Sequence, residues 1–227
     1  RNGVLVRRLL VNWKKAPRPF DWLYDSPVLG EYARQFLLEF KPDVVHVSSC
    51  YTLSTRPILV ARELGLPIVM HLHDYWTLCP RLTLLHKDNS ICTGPEGTWK
   101  CQRCLLAGTK SWTLAGVALG ESAQQRLAES LTRFDWATRL PSLHGMLGDL
   151  DQRQRTIAAS MDAADILVTP TEFAANLLVQ YGAPRSKLRI MPYGNRIDWT
   201  PPSQPKPSER LRIGFLGNVI PIKGVNV

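Results

Sequence analysis

No apolar run in this 227-residue chain reaches 18 residues, so no segment reads as a transmembrane helix. The phosphate-loop spacing G-x-x-x-x-G-K-[ST] is missing, and so is G-x-G-x-x-G. No internal repeat or low-complexity tract is evident, which excludes solenoid and fibrous architectures. Acid is absent from the first twenty residues, which hold six Lys or Arg beside Trp13 and Phe20. The chain opens on Arg1 without an initiator Met and stops at "GVNV" as a pattern gets under way. It therefore reads as an internal fragment, in which a signal peptide is untestable.

Hydrophobic residues make up 44% of the chain, enough to build a real core, and the formal charge is +9. Basic residues mixed with aromatics at the start suit a membrane surface, an anionic substrate or nucleic acid; the plainer reading is a solvated face. Charge alone does not choose among these.

Apolar runs alternate with helical patterns in a βαβ rhythm. "DVVHVSS" (43–49), "PIVMHL" (67–72), "ADILVTP" (164–170) and "KLRIMPYG" (187–194) read as strands. Near-continuous apolar strands of this kind indicate a parallel sheet covered on both faces. Helices are predicted over 53–65, 121–134, 150–164 and 171–182. The last has Thr169 as N-cap, Pro170 at the first helical position and Glu172 two residues on, a capping box. Residues 77–148 interrupt the rhythm with a Cys- and Gly-rich insert. Four prolines within 200–210 read as an interdomain linker, and "LRIGFLG" (211–217) as the first strand of a second domain. The expected fold is α/β, a doubly wound parallel sheet of Rossmann type, with residues 1–199 forming one nearly complete domain.

In open parallel sheets ligands bind outside the carboxyl ends of the strands. "PIVMHLHDYWTLCP" (67–80) places His71 and His73 on one strand face, with Asp74, Tyr75 and Trp76 directly after. His73 and Asp74 are the candidate catalytic pair. A lone strand histidine is more often a satisfied core residue, which is the expectation for His46 and the plainer one for His71. A second tip, Thr169, Thr171 and Glu172, sets a helix N-terminus where backbone N–H groups can meet an anion. A third, "GFLGNVIPIKG", brackets Lys223 between Gly217 and Gly224, with Asn218 beside them.

Cys79, Cys92, Cys101 and Cys104 are separated by 12, 8 and 2 residues, and Cys50 stands apart. Only "CQRC" has zinc-knuckle spacing, so a structural four-cysteine zinc site, disulfides and free thiols all stay open, with His86 able to replace one cysteine. Such a metal would brace the loop and do no chemistry. A zinc-stabilised nucleic-acid-binding protein is the competing reading. It lacks a surface on which aromatics and basic residues interleave, and "SICTGPEGTWKCQRCLLAG" carries only two basic residues. No nucleic-acid partner is therefore expected.

Five segments, "KPDVVHV", "LGLPIVMHLHDYWTLCP", "ADILVTPTEFAANLLVQYGAP", "LRIMPYGN" and "IGFLGNVIPIKGVNV", together resemble the retaining glycosyltransferases of glycosyltransferase family 4, of GT-B fold. The "HDYW-LCP" segment with its following cysteines is similar to a bacterial subgroup. The resemblance implies sugar transfer from a nucleotide-diphosphate sugar to a glycan or lipid-linked acceptor in cell-surface polysaccharide synthesis, without a metal or other cofactor for catalysis. It places His73 at the donor sugar and Lys223 on the diphosphate. Where the family has an arginine in that loop, this chain has Asn218. The family's E-x7-E pair would lie beyond Val227 and its glycine-rich acceptor loop before Arg1, so this chain alone is expected to be inactive; a non-catalytic sugar-nucleotide-binding relative is a further alternative. A cytoplasmic enzyme is implied, with peripheral contact at the cytoplasmic membrane face through the basic first twenty residues left open.

Overall fold

Strand formation here follows the four apolar runs. The computed structural model describes residues 3–107, 109–140, 143, 145–194, 210 and 213–224. Its strands are β1 (Val45–Val47), β2 (Ile68–His71), β3 (Ile166–Thr169) and β4 (Leu188–Ile190), all parallel and in the order β1-β2-β3-β4. The register sets His46 beside Val69 and Ile166, and His71 beside Val168 and Arg189. The protein is thus α/β with a parallel, Rossmann-like sheet, as its pattern indicates.

The helices are α1 (Pro19–Trp22), α2 (Pro27–Phe40), α3 (Arg56–Glu63), α4 (Thr98–Leu106), α5 (Lys110–Leu119), α6 (Glu121–Leu131), α7 (Asp135–Thr138), α8 (Leu150–Ala163) and α9 (Glu172–Gln180). Sequence periodicity missed α2, although its start is well signalled. Ser26 Oγ accepts the Leu29 N–H at 3.3 Å, Pro27 occupies the first helical position, and Lys41 closes the helix in the left-handed conformation. None of the described helices is long and apolar enough to cross a membrane.

Alternation along each strand splits the sheet into two unlike faces. Ile68, Met70, Leu72, Leu167 and Leu188 are buried in the main core with Ile58 and Ala61 of α3, Ile157 and Met161 of α8, and Leu178 of α9. The opposite face carries His46, Val69, His71, Ile166 and Arg189, of which only Val69 and His71 are half-buried and the rest exposed. Val168, flanked by His71 and Arg189, is buried there. Cover on both faces was expected; the described residues cover one. The physical reason is direction. Crossovers of the usual right hand that step always the same way along a sheet lay every helix on the same side. His46, expected in the core, is exposed for this reason, and also because β1 is an edge strand.

The insert after β2 carries α4 to α7 and a second small core of Leu106, Trp112, Ala128, Leu143 and Leu147. Residues 213–217 form no strand, contrary to expectation, and Ile213 and Leu216 are exposed. A strand persists through ladder bonds to a neighbour, and no described strand pairs with this one. The linker 200–209 and residues 211 and 212 lie outside the described residues.

Candidate functional site at the strand tips

Because all four strands run one way, their carboxyl ends share one edge. β2 ends at His71, and Leu72 extends the ladder by donating to the Val168 carbonyl at 2.7 Å. His73 follows, exposed and on the same alternating face as His71. The His71 ring lies 5.3 Å from that of His73, 6.1 Å from His46 and 6.0 Å from Tyr193, the last two stacked. His71 is therefore the hub of a four-ring cluster on the open face. Its Nε2 is buried without a hydrogen-bond partner among the described residues. Burial first, then the proximity of the His73 and His46 rings, hold its imidazole below the usual histidine range.

Asp74 turns the chain away from the sheet. Its Oδ1 accepts the Trp76 N–H at 2.9 Å, and its Oδ2 lies 3.5 Å from Ser49 Oγ at the tip of β1. The carboxylate thus ties two neighbouring strand tips and fixes where His73 emerges. Burial, and then the Asp74 charge, push the nearby Cys50 thiol up to about 12, which leaves it inert.

At β3 the expected cap is displaced by two residues. Thr169 ends the strand, fully buried, with Oγ1 unpartnered among the described residues. Thr171 is the N-cap of α9, its Oγ1 accepting the Ala174 N–H at 3.2 Å, and Glu172 stands in the first turn. The cause is alternation. Thr169 has the parity of Leu167 and turns to the covered face, whereas Thr171 is past the ladder and free to bend back over the helix start. Thr171 and Glu172 are exposed and Thr169 is not.

Gly217, Asn218, Lys223 and Gly224 are also exposed, with Lys223 ending the 3-10 turn Pro221–Lys223. Gly224 has φ 66°, a left-handed value at which glycine is unstrained. Among the described residues no backbone hydrogen bond joins 213–224 to the strand tips.

All four insert cysteines line one cavity of about 20 Å³ together with Arg81, His86 and Lys100. All are free thiols, and among the described residues no trio of His, Cys, Asp or Glu is already set to hold an ion. Burial, and then the neighbouring thiols, push Cys101 up to about 11. Larger cavities lie away from the strand tips, such as one of about 370 Å³ lined by Arg18, Gln102, Glu129 and Asp149.

A family model for the glycosyl transferase 4-like domain matches residues 1–194. The chain belongs to this family. No curated protein and no solved structure matches it. A glycosyltransferase domain takes a sugar donor and an acceptor, and in this glycosyltransferase chain the parallel-sheet edge bearing His71, His73 and Asp74 lies wholly within the matched residues. The sequence reading missed three residues here. Tyr193 and Ser49 sit at strand tips and were findable by the rule that such tips converge. Arg153 falls in the stripe Leu150, Arg153, Ile157, Met161 of α8, a helical spacing that marks it as inward-facing.

Proposed function

We propose that this domain serves a retaining glycosyltransferase that moves a sugar from a nucleotide-diphosphate sugar to a glycan or lipid-linked acceptor. The observation that carries the reading is the strand-tip cluster. An exposed His73 beside the half-buried His71 and the Tyr193 ring gives a polar and stacking floor of the kind a sugar needs, at the edge where open parallel sheets bind ligands.

In such a reaction the bond from the anomeric carbon to the diphosphate oxygen breaks. The acceptor hydroxyl oxygen takes its place on the same face, and its proton passes to the departing phosphate. Negative charge grows on the leaving group while the sugar becomes oxocarbenium-like. His73 and Asp74 align the sugar. Thr171, Glu172 and the N–H groups that open α9 stand at the carboxyl-end edge, where an anionic donor group would meet them. Lys223, between Gly217 and Gly224 and beside Asn218, answers the diphosphate charge. Val4, Leu5, Val6 and Leu10, exposed near Arg7 and Arg8, support an acceptor held at a membrane surface.

The test is transfer by the intact protein from a panel of nucleotide-diphosphate sugars, with the product's anomeric configuration read by NMR. Retention is expected. Lys223→Ala should lower turnover on the order of a hundredfold, about 3 kcal/mol. An inverted product refutes the retaining reading, and unchanged turnover removes Lys223 from the mechanism.

A further inference from the structure

A buried positive charge beneath the insert has no carboxylate partner among the described residues. Arg153, on α8, is 3% exposed. Its guanidinium stacks 5.1 Å over the Trp76 ring and donates to the Trp76 carbonyl, yet among the described residues no carboxylate pairs with it. The ionisable groups that face it are Cys79, Cys101 and Tyr24. Arginine does not lose its proton in a protein, and a buried charge without compensation is strongly destabilising. The phenol of Tyr24 is engaged with Asp21 and the Asp149 carbonyl, which leaves the sulfurs to supply the negative charge.

The sulfurs are arranged as a set. Cys79 closes the turn after β2, Cys92 comes from the irregular loop, and Cys101 and Cys104 stand three residues apart on α4, on one helix face. They surround a space of about 20 Å³, enough for one water-sized guest. A second arginine, Arg81, reaches Cys104 Sγ at 3.6 Å. The loop between Cys79 and α4 has no described helix, and its backbone bonds are local, among them the Cys92 N–H to the Leu84 carbonyl at 2.8 Å beside the Leu85–Ile91 bridge.

We propose that Cys79, Cys92, Cys101 and Cys104 together hold one zinc ion in a closed four-thiolate site, with Arg153 and Arg81 as its counter-charges. Four S–H protons leave to solvent as four Zn–S bonds form, with no change of oxidation state. The resulting centre carries a net charge of −2, which the two guanidinium groups balance. Thiolates select zinc among common divalent ions, and four of them leave no position for substrate, so the ion is structural. Since no trio is already set to hold an ion, binding draws the sulfurs inward by side-chain rotation around the cavity they line. The ion clamps the insert onto α8 beside the β2 tip.

The test is independent of the sugar-transfer reading. The intact protein is purified anaerobically without chelator and its metals are counted by mass spectrometry. About one zinc per chain is expected, lost in Cys101→Ser/Cys104→Ser. Cobalt(II) added to stripped protein should give thiolate charge-transfer bands and tetrahedral d–d absorption. In Arg153→Met, zinc should pass to a chelator at roughly tenfold lower chelator concentration. The wild-type zinc count decides the matter even if that variant fails to fold. A zinc-free protein with four titratable thiols overturns the proposal. So do a disulfide among the four cysteines, iron with inorganic sulfide, and zinc retained in the double variant.

Discussion

The two faces of the sheet are built from the same four strands, yet they have opposite characters. One face presents Ile68, Met70 and Leu167, each no more than 2% exposed, to α3, α8 and α9. The other presents His46, His71, Ile166 and Arg189, with Tyr193 stacked on His71. Apolar burial is the main favourable term in folding, so the first face holds the domain together. The second contributes little to that and is free to carry polar groups whose use is recognition. Stability and chemistry are separated by a single residue step along each strand.

The sharpest way to break this comparison is to truncate neighbours on opposite faces. Leu167→Ala should lower unfolding free energy by about 2–5 kcal/mol, because a fully buried leucine leaves a cavity. Ile166→Ala, one residue earlier and 39% exposed, should cost under about 1 kcal/mol. Equal losses in urea unfolding would show that the open face is also packed.

A smaller effect separates the two threonines after β3. Thr171→Ala removes the α9 cap and should cost about 1 kcal/mol. Thr169→Val removes a buried hydroxyl with no partner among the described residues and should be neutral or stabilising by up to about 1 kcal/mol. The reverse order in thermal melts would restore Thr169 as the cap.

The smallest effect is a pH dependence. His71 is held below the usual histidine range when folded, so the unfolded chain binds its proton first. Its contribution is fully present above about pH 6.5 and is lost as pH falls from there toward the folded value. His71→Gln should flatten that part of the stability profile, and an unaltered slope would show that His71 is not the group concerned.

The βαβ order was legible because buried strands are apolar runs and helices repeat at 3.6 residues. The structure trims each strand: 43–49 becomes Val45–Val47 and 187–194 becomes Leu188–Ile190, since ladder bonds end before the apolar residues do. The position of His73 and Asp74 at a strand tip was also readable. The open face was not, because apolar runs report burial along a strand and say nothing of the direction in which crossovers step. For the same reason His46 was placed in the core. The cap at Thr171 was hidden by Pro170, which suits a first helical position but here sits between strand and cap. Arg153 lies in the helix predicted over 150–164 and was not singled out, although its spacing from Leu150 and Ile157 marks it as buried.

The most direct test of the account is sugar transfer by the intact protein carrying His73→Ala, measured beside its melting temperature. Turnover should fall by about a hundredfold, as for loss of a preorganised polar group at the reacting centre, while the melting temperature stays within a few degrees, because His73 is exposed. Turnover equal to wild type at an unchanged melting temperature would contradict the placement of the site at the β2 tip.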